Sequence, residues 1–226
     1  MTESTAYQYG RIGGRPRDAD LEARIDALLE TAGTLFLEHG YANTSLKTIA
    51  HEAHVAVRTI YVKFGGKAGL FKAVVERGQS RYGATRDLLS DTRAIDEVLE
   101  EFGINLLQMM SMPRVVGMYH MVIAVAHLHP EIALAFDQAG PGHTLHMLGR
   151  YFARPDIAAQ FRSDVTHEQL AVHLYNCLIG NQIRRLMFDP KVPPCQADRR
   201  REVAEALAFF YKTVRRDSIS KPQVPV

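Results

Sequence analysis

The chain has 226 residues, 46% hydrophobic and 23% charged, the proportions of an ordinary soluble globular protein with one large or two small domains. Disorder over the whole length is excluded, and two cysteines, Cys177 and Cys195, exclude a disulfide scaffold and a four-cysteine metal site. A formal net charge of +2 says little about partners until it is divided by region. The first residues lack a basic head followed by an apolar run. The longest uncharged stretch, Val115 to Pro130, holds His120, His127 and His129, too short and too polar to span a bilayer. The expectation is a cytoplasmic protein with no membrane partner.

Residues 1–17 contain three Gly, one Pro and few large apolar side chains and read as a mobile basic arm. From Asp18 the pattern turns helical. Leu21, Ile25, Leu28, Leu29, Ala32, Leu35 and Phe36 recur on one face of a helix. Asp18 or Asp20 suits its start and Gly40 its end. Ser45 can cap a short helix running to about Ala53. A break at His54–Ala56 follows, and a second short helix from Val57 to Phe64 stops at Gly65-Gly66. Lys67 opens a longer helix. Strand-like alternation is missing beyond it, and prolines punctuate the chain at 113, 130, 141, 155, 190 and 193–194. Helices are predicted near 67–90, 93–111, 114–128, 131–138, 142–153, 165–188 and 196–216. An all-α protein of about nine to ten helices follows, with a frayed tail at 217–226.

Charge separates the regions. In the arm, Arg11, Arg15 and Arg17 oppose Glu3. In 18–40, Arg24 stands against six acids. In 41–72, Lys47, Arg58, Lys63, Lys67 and Lys72 oppose Glu52 alone. A near-neutral total thus hides a local surface suited to phosphates. Two short helices joined by a tight break and braced by an amphipathic helix describe a helix-turn-helix. Ile49, Ala50 and Ala53 form the apolar face of the first, Val55 plugs the turn, and Ile60 and Phe64 form the buried stripe of the second. The opposite side shows Arg58, Thr59, Val62 and Lys63, side chains able to meet base edges, phosphates and thymine methyls.

Leu35-Phe36, Gly40-Tyr41, Thr44-Ser45, Ile49-Ala50, Ala53, Val55, Thr59-Ile60-Tyr61, Phe64, Lys67 and Leu70-Phe71 carry a resemblance to the TetR-type transcriptional regulators over Leu21 to Val75, about a quarter of the chain. The resemblance implies a homodimer on a near-palindromic operator in double-stranded DNA. It implies a helix-turn-helix domain over 18–66 and a ligand-binding and dimerisation domain over 67–216. It sets Thr44 and Ser45 against phosphate and Arg58, Thr59 and Lys63 on the reading helix. Tyr61 falls where a phenol meets phosphate, and Lys67 falls at a helix N-terminus that favours an anion.

Several positions depart from the pattern. His54 stands for a glycine, Ala56 for a capping serine and Thr48 for an acid after Ser45, and Ala68 replaces the acid that often follows Lys67. The expected result is a looser reading helix that orders on DNA. Gly14-Arg15-Pro16-Arg17 resembles Arg-Pro hooks of AT-rich minor grooves, with a plain solvated arm as the alternative.

The larger part is rich in Met and aromatic residues, which suit an adaptable pocket for a small apolar effector or, alternatively, ordinary core packing. The candidate lining is Phe102, Leu106, Met109, Met110, Met118, Tyr119, Met121, Val122, Phe136, Met147, Tyr151 and Tyr175. Pro113-Arg114-Val115-Val116, His129-Pro130-Glu131-Ile132-Ala133, Ala135-Phe136 and Gly140-Pro141 are similar to one C-terminal subgroup of the same regulators. His143 and His146 sit three apart but lack a third ligand at firm spacing, so no metal is expected. Cys177 reads as a buried small apolar residue and Cys195 as exposed, with a redox switch as the alternative.

Leu170, Leu174, Cys177, Leu178 and Asn181 share one face, and Val203, Ala206, Leu207 and Phe210 another. Two such helices from each subunit can form a four-helix dimer interface, with burial inside one subunit as the alternative. No phosphate loop, nucleophile elbow or metal set points to an enzyme, and no cofactor is implied. The expected function is a repressor released by a small ligand. An activator of the same kind and a protein-binding adaptor without DNA are the competing readings.

Overall fold

The computed structural model describes residues 18–82, 88–188 and 196–216; Arg15, Arg17, Cys195 and the tail 217–226 lie outside them. The described residues form helices joined by turns and short loops, without strands. The helices are α1 (Asp18–Asn43), α2 (Leu46–Glu52), α3 (Val57–Phe64), α4 (Lys67–Tyr82), α5 (Ile95–Met110), α6 (Pro113–Val125), α7 (Pro130–Ala139), α8 (Pro141–Phe152), α9 (Pro155–Ala158), α10 (His167–Phe188) and α11 (Gln196–Val214). Eleven helices exceed the nine to ten expected. The extra one, α9, is a four-residue turn begun by Pro155 at its first position, too short to show a hydrophobic period. Helix α4 ends at Tyr82, and 88–90 form a turn, so the expected run to residue 90 is too long.

Two clusters make the core. The first gathers Leu28, Ala32 and Phe36 of α1, Ile49 of α2, Ile60 of α3 and Leu70 and Phe71 of α4. It continues into Met118 and Val122 of α6 and Ile132, Ala135 and Phe136 of α7. Phe36, Tyr41 and Phe71 form its centre, with ring centroids 5.6 to 5.9 Å apart, a spacing at which edge-to-face aromatic pairs attract. Each such side chain, fully buried, stabilises the fold by about 1.5–3 kcal/mol. The second cluster joins α5, α8, α10 and α11 through residues such as Phe102, Leu106, Tyr151, Leu174, Val203 and Phe210.

Chain reversals place the short helices. At Gly40, φ is 77° and ψ 161°, which stops the regular geometry of α1 where the sequence predicts its end. Gly65 closes α3 in the left-handed region at φ 74° and donates its N–H to the Tyr61 carbonyl at 2.9 Å. A Cβ on Gly69 would overlap the Phe64 carbonyl oxygen, so α4 approaches the end of α3 too closely for any other residue.

Replacing Gly69 by Ala is expected to destabilise the protein by about 1–3 kcal/mol, because the obstacle is backbone. Gly149→Ala is the control: a Cβ there meets nothing within 4 Å inside α8, so stability should rise by about 0.5–1 kcal/mol. Thermal denaturation of both variants checks the pair. A Gly69→Ala midpoint at or above that of the unmodified protein contradicts the packing argument.

Candidate nucleic-acid interface

The reading head is built from α2 and α3. Ser45 adopts an extended conformation and its Oγ accepts the Thr48 N–H at 3.0 Å. Where an acid would close a capping box, the two hydroxyls of Ser45 and Thr48 meet at 2.8 Å. Between the helices, Val55 donates to the Ala50 carbonyl at 2.9 Å and lies half-buried beneath the turn. His54 takes the left-handed conformation, φ 53°, which a side chain with a Cβ adopts at a cost. No side chain caps α3 at Ala56. Helix α3 buries Ile60 completely and Phe64 in part, while Arg58, Thr59, Tyr61, Val62 and Lys63 stay exposed, Val62 at 77%. Ser45 and Lys47 are exposed on α2 and its cap.

Two residues expected on this surface make contacts within the chain, Thr44 buried and Lys67 half-buried. Thr44 is 2% exposed. Its hydroxyl lies 2.7 Å from the Gly40 carbonyl and 3.1 Å from that of Leu35. It fastens the end of α1, and its side chain is turned away from any phosphate. Lys67 is half-buried, with its ammonium 4.2 Å from the centre of the Tyr41 ring and 3.4 Å from the Ala42 carbonyl. Burial pulls its pKa down, partly offset by Glu131. Burial likewise raises the Tyr41 phenol to about 12. Lys67 therefore ties the start of α4 to the end of α1.

Helix α4 leads from this head to a cavity of about 150 Å³. Apolar walls come from Val74 and Val75 of α4, Met109 of α5, Met118 and Tyr119 of α6 and Phe136 of α7. Its polar end holds Glu30 of α1, Arg77 and Gln79 of α4 and Arg114 of α6. Arg77 binds Glu30 and, through two nitrogens, Asp26. Arg81 reaches Asp26 at 2.6 Å and Arg114 reaches Glu30 at 2.6 Å. Hydrogen bonds from Arg77 hold both carboxyls below their usual range and push its own pKa up.

Of the lining expected from sequence, Met109, Met118, Tyr119 and Phe136 face this cavity. Phe102, Leu106, Met110, Tyr151 and Tyr175 are buried in the second core instead. Met121 and Val122 pack on the first, and Met147 lines a separate surface depression with His143. These residues were chosen by apolar character, which core and cavity share. The charged lining was missed, although Asp26 and Glu30 are one helical turn apart, as are Arg77 and Arg81. Two such pairs of opposite sign on packed helices are a legible signal.

The residues expected at a dimer interface lie in the chain's own core. Leu170, Leu174, Leu178, Val203, Leu207 and Phe210 are at most 6% exposed within one chain, and Cys177 and Ala206 pack half-buried on the same core. The side chain of Asn181 lies outside the described residues. The outer faces of α10 and α11 carry Val172, Ile183 and Phe209, exposed at 42%, 41% and 67%. Gly180, where an added Cβ meets nothing within 4 Å, lies on α10 between Val172 and Ile183.

The arrangement matches known regulators. The family model for bacterial regulatory proteins of the tetR family matches residues 28–74. That for the C-terminal domain of AefR-like transcriptional repressors matches 97–213, more than half of the chain. The chain belongs to the TetR family. This TetR-family transcriptional regulator is 31% identical to the HTH-type transcriptional repressor ComR of Escherichia coli strain K12 over 91 residues, 39% of this chain and 41% of ComR. The match therefore spans about two fifths of that relative's length. Its fold resembles a TetR-family regulator from Mesorhizobium loti at TM-score 0.71 and 21% identity, covering 89% of this chain and 100% of the other. It also resembles the flavonoid-responsive regulator FrrA at TM-score 0.69 and 22% identity, covering 87% and 99%. No helix among the described residues is long and apolar enough to cross a membrane.

Two predictions concern stability. Combining His54→Gly with Ala56→Ser relieves the left-handed histidine and supplies the missing cap. Each change should add about 1 kcal/mol, read as a higher midpoint in urea. A double variant no more stable than the parent contradicts the account of the turn. The Asp26 and Glu30 carboxyls have folded pKa values below the ordinary 3.8 and 4.5. Their ion pairs are therefore fully stabilising above those values, and the contribution disappears as pH falls through the lower folded values. The midpoint difference between the unmodified protein and Glu30→Gln should shrink on acidification below 4.5; a constant difference contradicts the linkage.

Proposed function

We propose that this regulator is a homodimeric repressor whose paired α3 helices read a near-palindromic operator and which leaves it when a small, largely apolar ligand enters the α4–α7 cavity. The observation that carries this reading is the path of α4. It begins three residues after α3 ends, and its Val74, Val75 and Arg77 line the cavity. A ligand that repacks the cavity therefore acts directly on the helix that carries the reading head. Arg58 and Lys63 stand on the exposed side of α3 with no acid in that helix, matching guanine edges and phosphates. Residues 18–66 form the reading domain in this account and 67–216 the effector and dimer domain. The site of action is the cytoplasm.

The second copy would dock on the outer faces of α10 and α11, covering Val172, Ile183 and Phe209. Two-fold symmetry then sets the α3 helices one DNA turn apart, roughly 34 Å. Release requires that the ligand bind more tightly to a form whose head spacing mismatches the operator. A tenfold loss of DNA affinity needs only about 1.4 kcal/mol of such coupling.

Fluorescence anisotropy with the duplex upstream of the protein's own gene, against a scrambled duplex and at several salt concentrations, tests the reading. Tight binding to the native duplex alone is expected, with dimer stoichiometry. Lys63→Glu should weaken it tenfold or more, since reversing a charge at the groove costs on the order of 1–3 kcal/mol. Phe209→Glu should yield monomers that bind weakly. Equal, salt-sensitive binding to both duplexes, unaffected by Lys63→Glu, overturns the assignment of α3 as a reading helix.

A further inference from the structure

We infer that the effector cavity is an acid receptor: it takes a single-ring aromatic carboxylate, whose anion replaces Glu30 between Arg77 and Arg114. The inference rests on the effector reading above and specifies its chemistry. Size comes first. The cavity is about 150 Å³, the volume at which an apolar protein cavity accepts a benzene ring. Its apolar walls, including Val74, Val75, Met109 and Met118, suit a ring or a chain of that volume.

Charge decides the rest. The charged side chains that line the cavity are Arg77, Arg114 and Glu30, two guanidinium groups against one carboxylate, while Asp26 and Arg81 extend the ion-pair cluster beyond the lining. This lining therefore carries one more positive than negative charge, which favours an anion over an amine. Arg77 has a side chain only 13% exposed, so its charge must stay compensated. Glu30 now supplies one oxygen to Arg77 and the other to Arg114. An incoming carboxylate offers the same two oxygens, and a guanidinium fork matches that geometry. The exchange is easy because Glu30 is 46% exposed. An ion pair that wet is weakly stabilising, and the displaced carboxylate returns to water.

A further polar group awaits a partner. The Oε1 of Gln79 is buried and accepts no hydrogen bond among the described residues, and Gln79 lines the same cavity. It would accept a hydroxyl or amine hydrogen carried on the ring. Occupancy would also reach the DNA-reading half. Arg114 lies over Gly33 of α1, where a Cβ would overlap its Nη2, and Gly117 of α6 brings the helix against Leu37. Glu30 is thus the polar tie of a close α1–α6 contact, and the ligand's anion unties it.

Calorimetry on the full chain with benzoate, benzyl alcohol and benzylamine, equal in ring and different in charge, tests this. Benzoate should bind at least tenfold more tightly than the alcohol, and the amine most weakly. Glu30→Gln, which removes the internal competitor's charge, should tighten benzoate several-fold. Arg114→Gln should abolish the preference for the acid. Gly33→Ala keeps every charge but displaces the Arg114 guanidinium and should reduce the preference partway, which covers the case in which Arg114→Gln fails to fold. Alcohol or amine binding as tightly as benzoate overturns the acid assignment and leaves the effector cavity standing. No binding by any of the three overturns both, while operator binding is read independently by anisotropy.

Discussion

Helix α4 has to satisfy two packings at once, and the other elements are arranged around that requirement. Its first half presents Leu70 and Phe71 to α1, closing the aromatic group with Phe36 and Tyr41. Its second half presents Val74 and Val75 to the cavity and Arg77 to the acids of α1. A helix moves as a near-rigid rod, because its backbone hydrogen bonds are local and its core side chains are close-packed. The same helix carries Lys67, which bridges α4 to Tyr41 and Ala42. The first core does not end at residue 66; Met118, Ile132 and Phe136 complete it from α6 and α7. The reading head is consequently held by the same helices that enclose the cavity.

The head was legible in the sequence because its determinants are local. Ser45, the break at His54–Ala56 and Gly65-Gly66 act through caps and dihedral angles within a few residues of themselves. The structure places α2 and α3 where those residues predict them. The proposed dimer face and the cavity are less legible because they depend on which side of a helix meets which neighbour. Leu174 and Val172 are both apolar and two residues apart, yet one is fully buried and the other 42% exposed. A helix with apolar residues on two sides gives no sign of which side the subunit's own core takes. Thr44 was misjudged for a related reason. A hydroxyl beside a helix start reads as outward, and only the turn at Gly40 brings the carbonyls of Leu35 and Gly40 within its reach.

Three of the four departures from the family pattern lie in one stretch, and the fourth, Ala68, stands at the start of α4. Thr48, His54 and Ala56 each weaken or replace a local contact in α2, the turn or the start of α3. Their consequences differ in kind. Ser45 and Thr48 retain a hydroxyl pair, so the start of α2 keeps its cap. His54 at φ 53° and the uncapped Ala56 leave the α3 entrance without compensation. Ile60 and Phe64 still anchor the helix from beneath. The cost therefore falls on the stability of the α3 entrance more than on the position of the helix.

The charged cluster between α1, α4 and α6 explains how a weak contact can control a strong one. Glu30 with Arg114, both more than a third exposed, contributes little to overall stability. Arg77 is different, since losing its compensating carboxylate leaves a buried charge. Asp26 holds Arg77 through two nitrogens whether or not Glu30 stays. The α1–α4 tie therefore survives an exchange at Glu30, and the α1–α6 tie does not. In the proposed exchange, a ligand's anion would have differential affinity for a form in which α6 has parted from α1, the thermodynamic condition for shifting a population. By reciprocity, DNA that held α1 against α6 would weaken the proposed ligand by the same factor. Under that proposal the exposed half of the cluster is the half a ligand would exchange, and the buried half would keep α1 tied to α4.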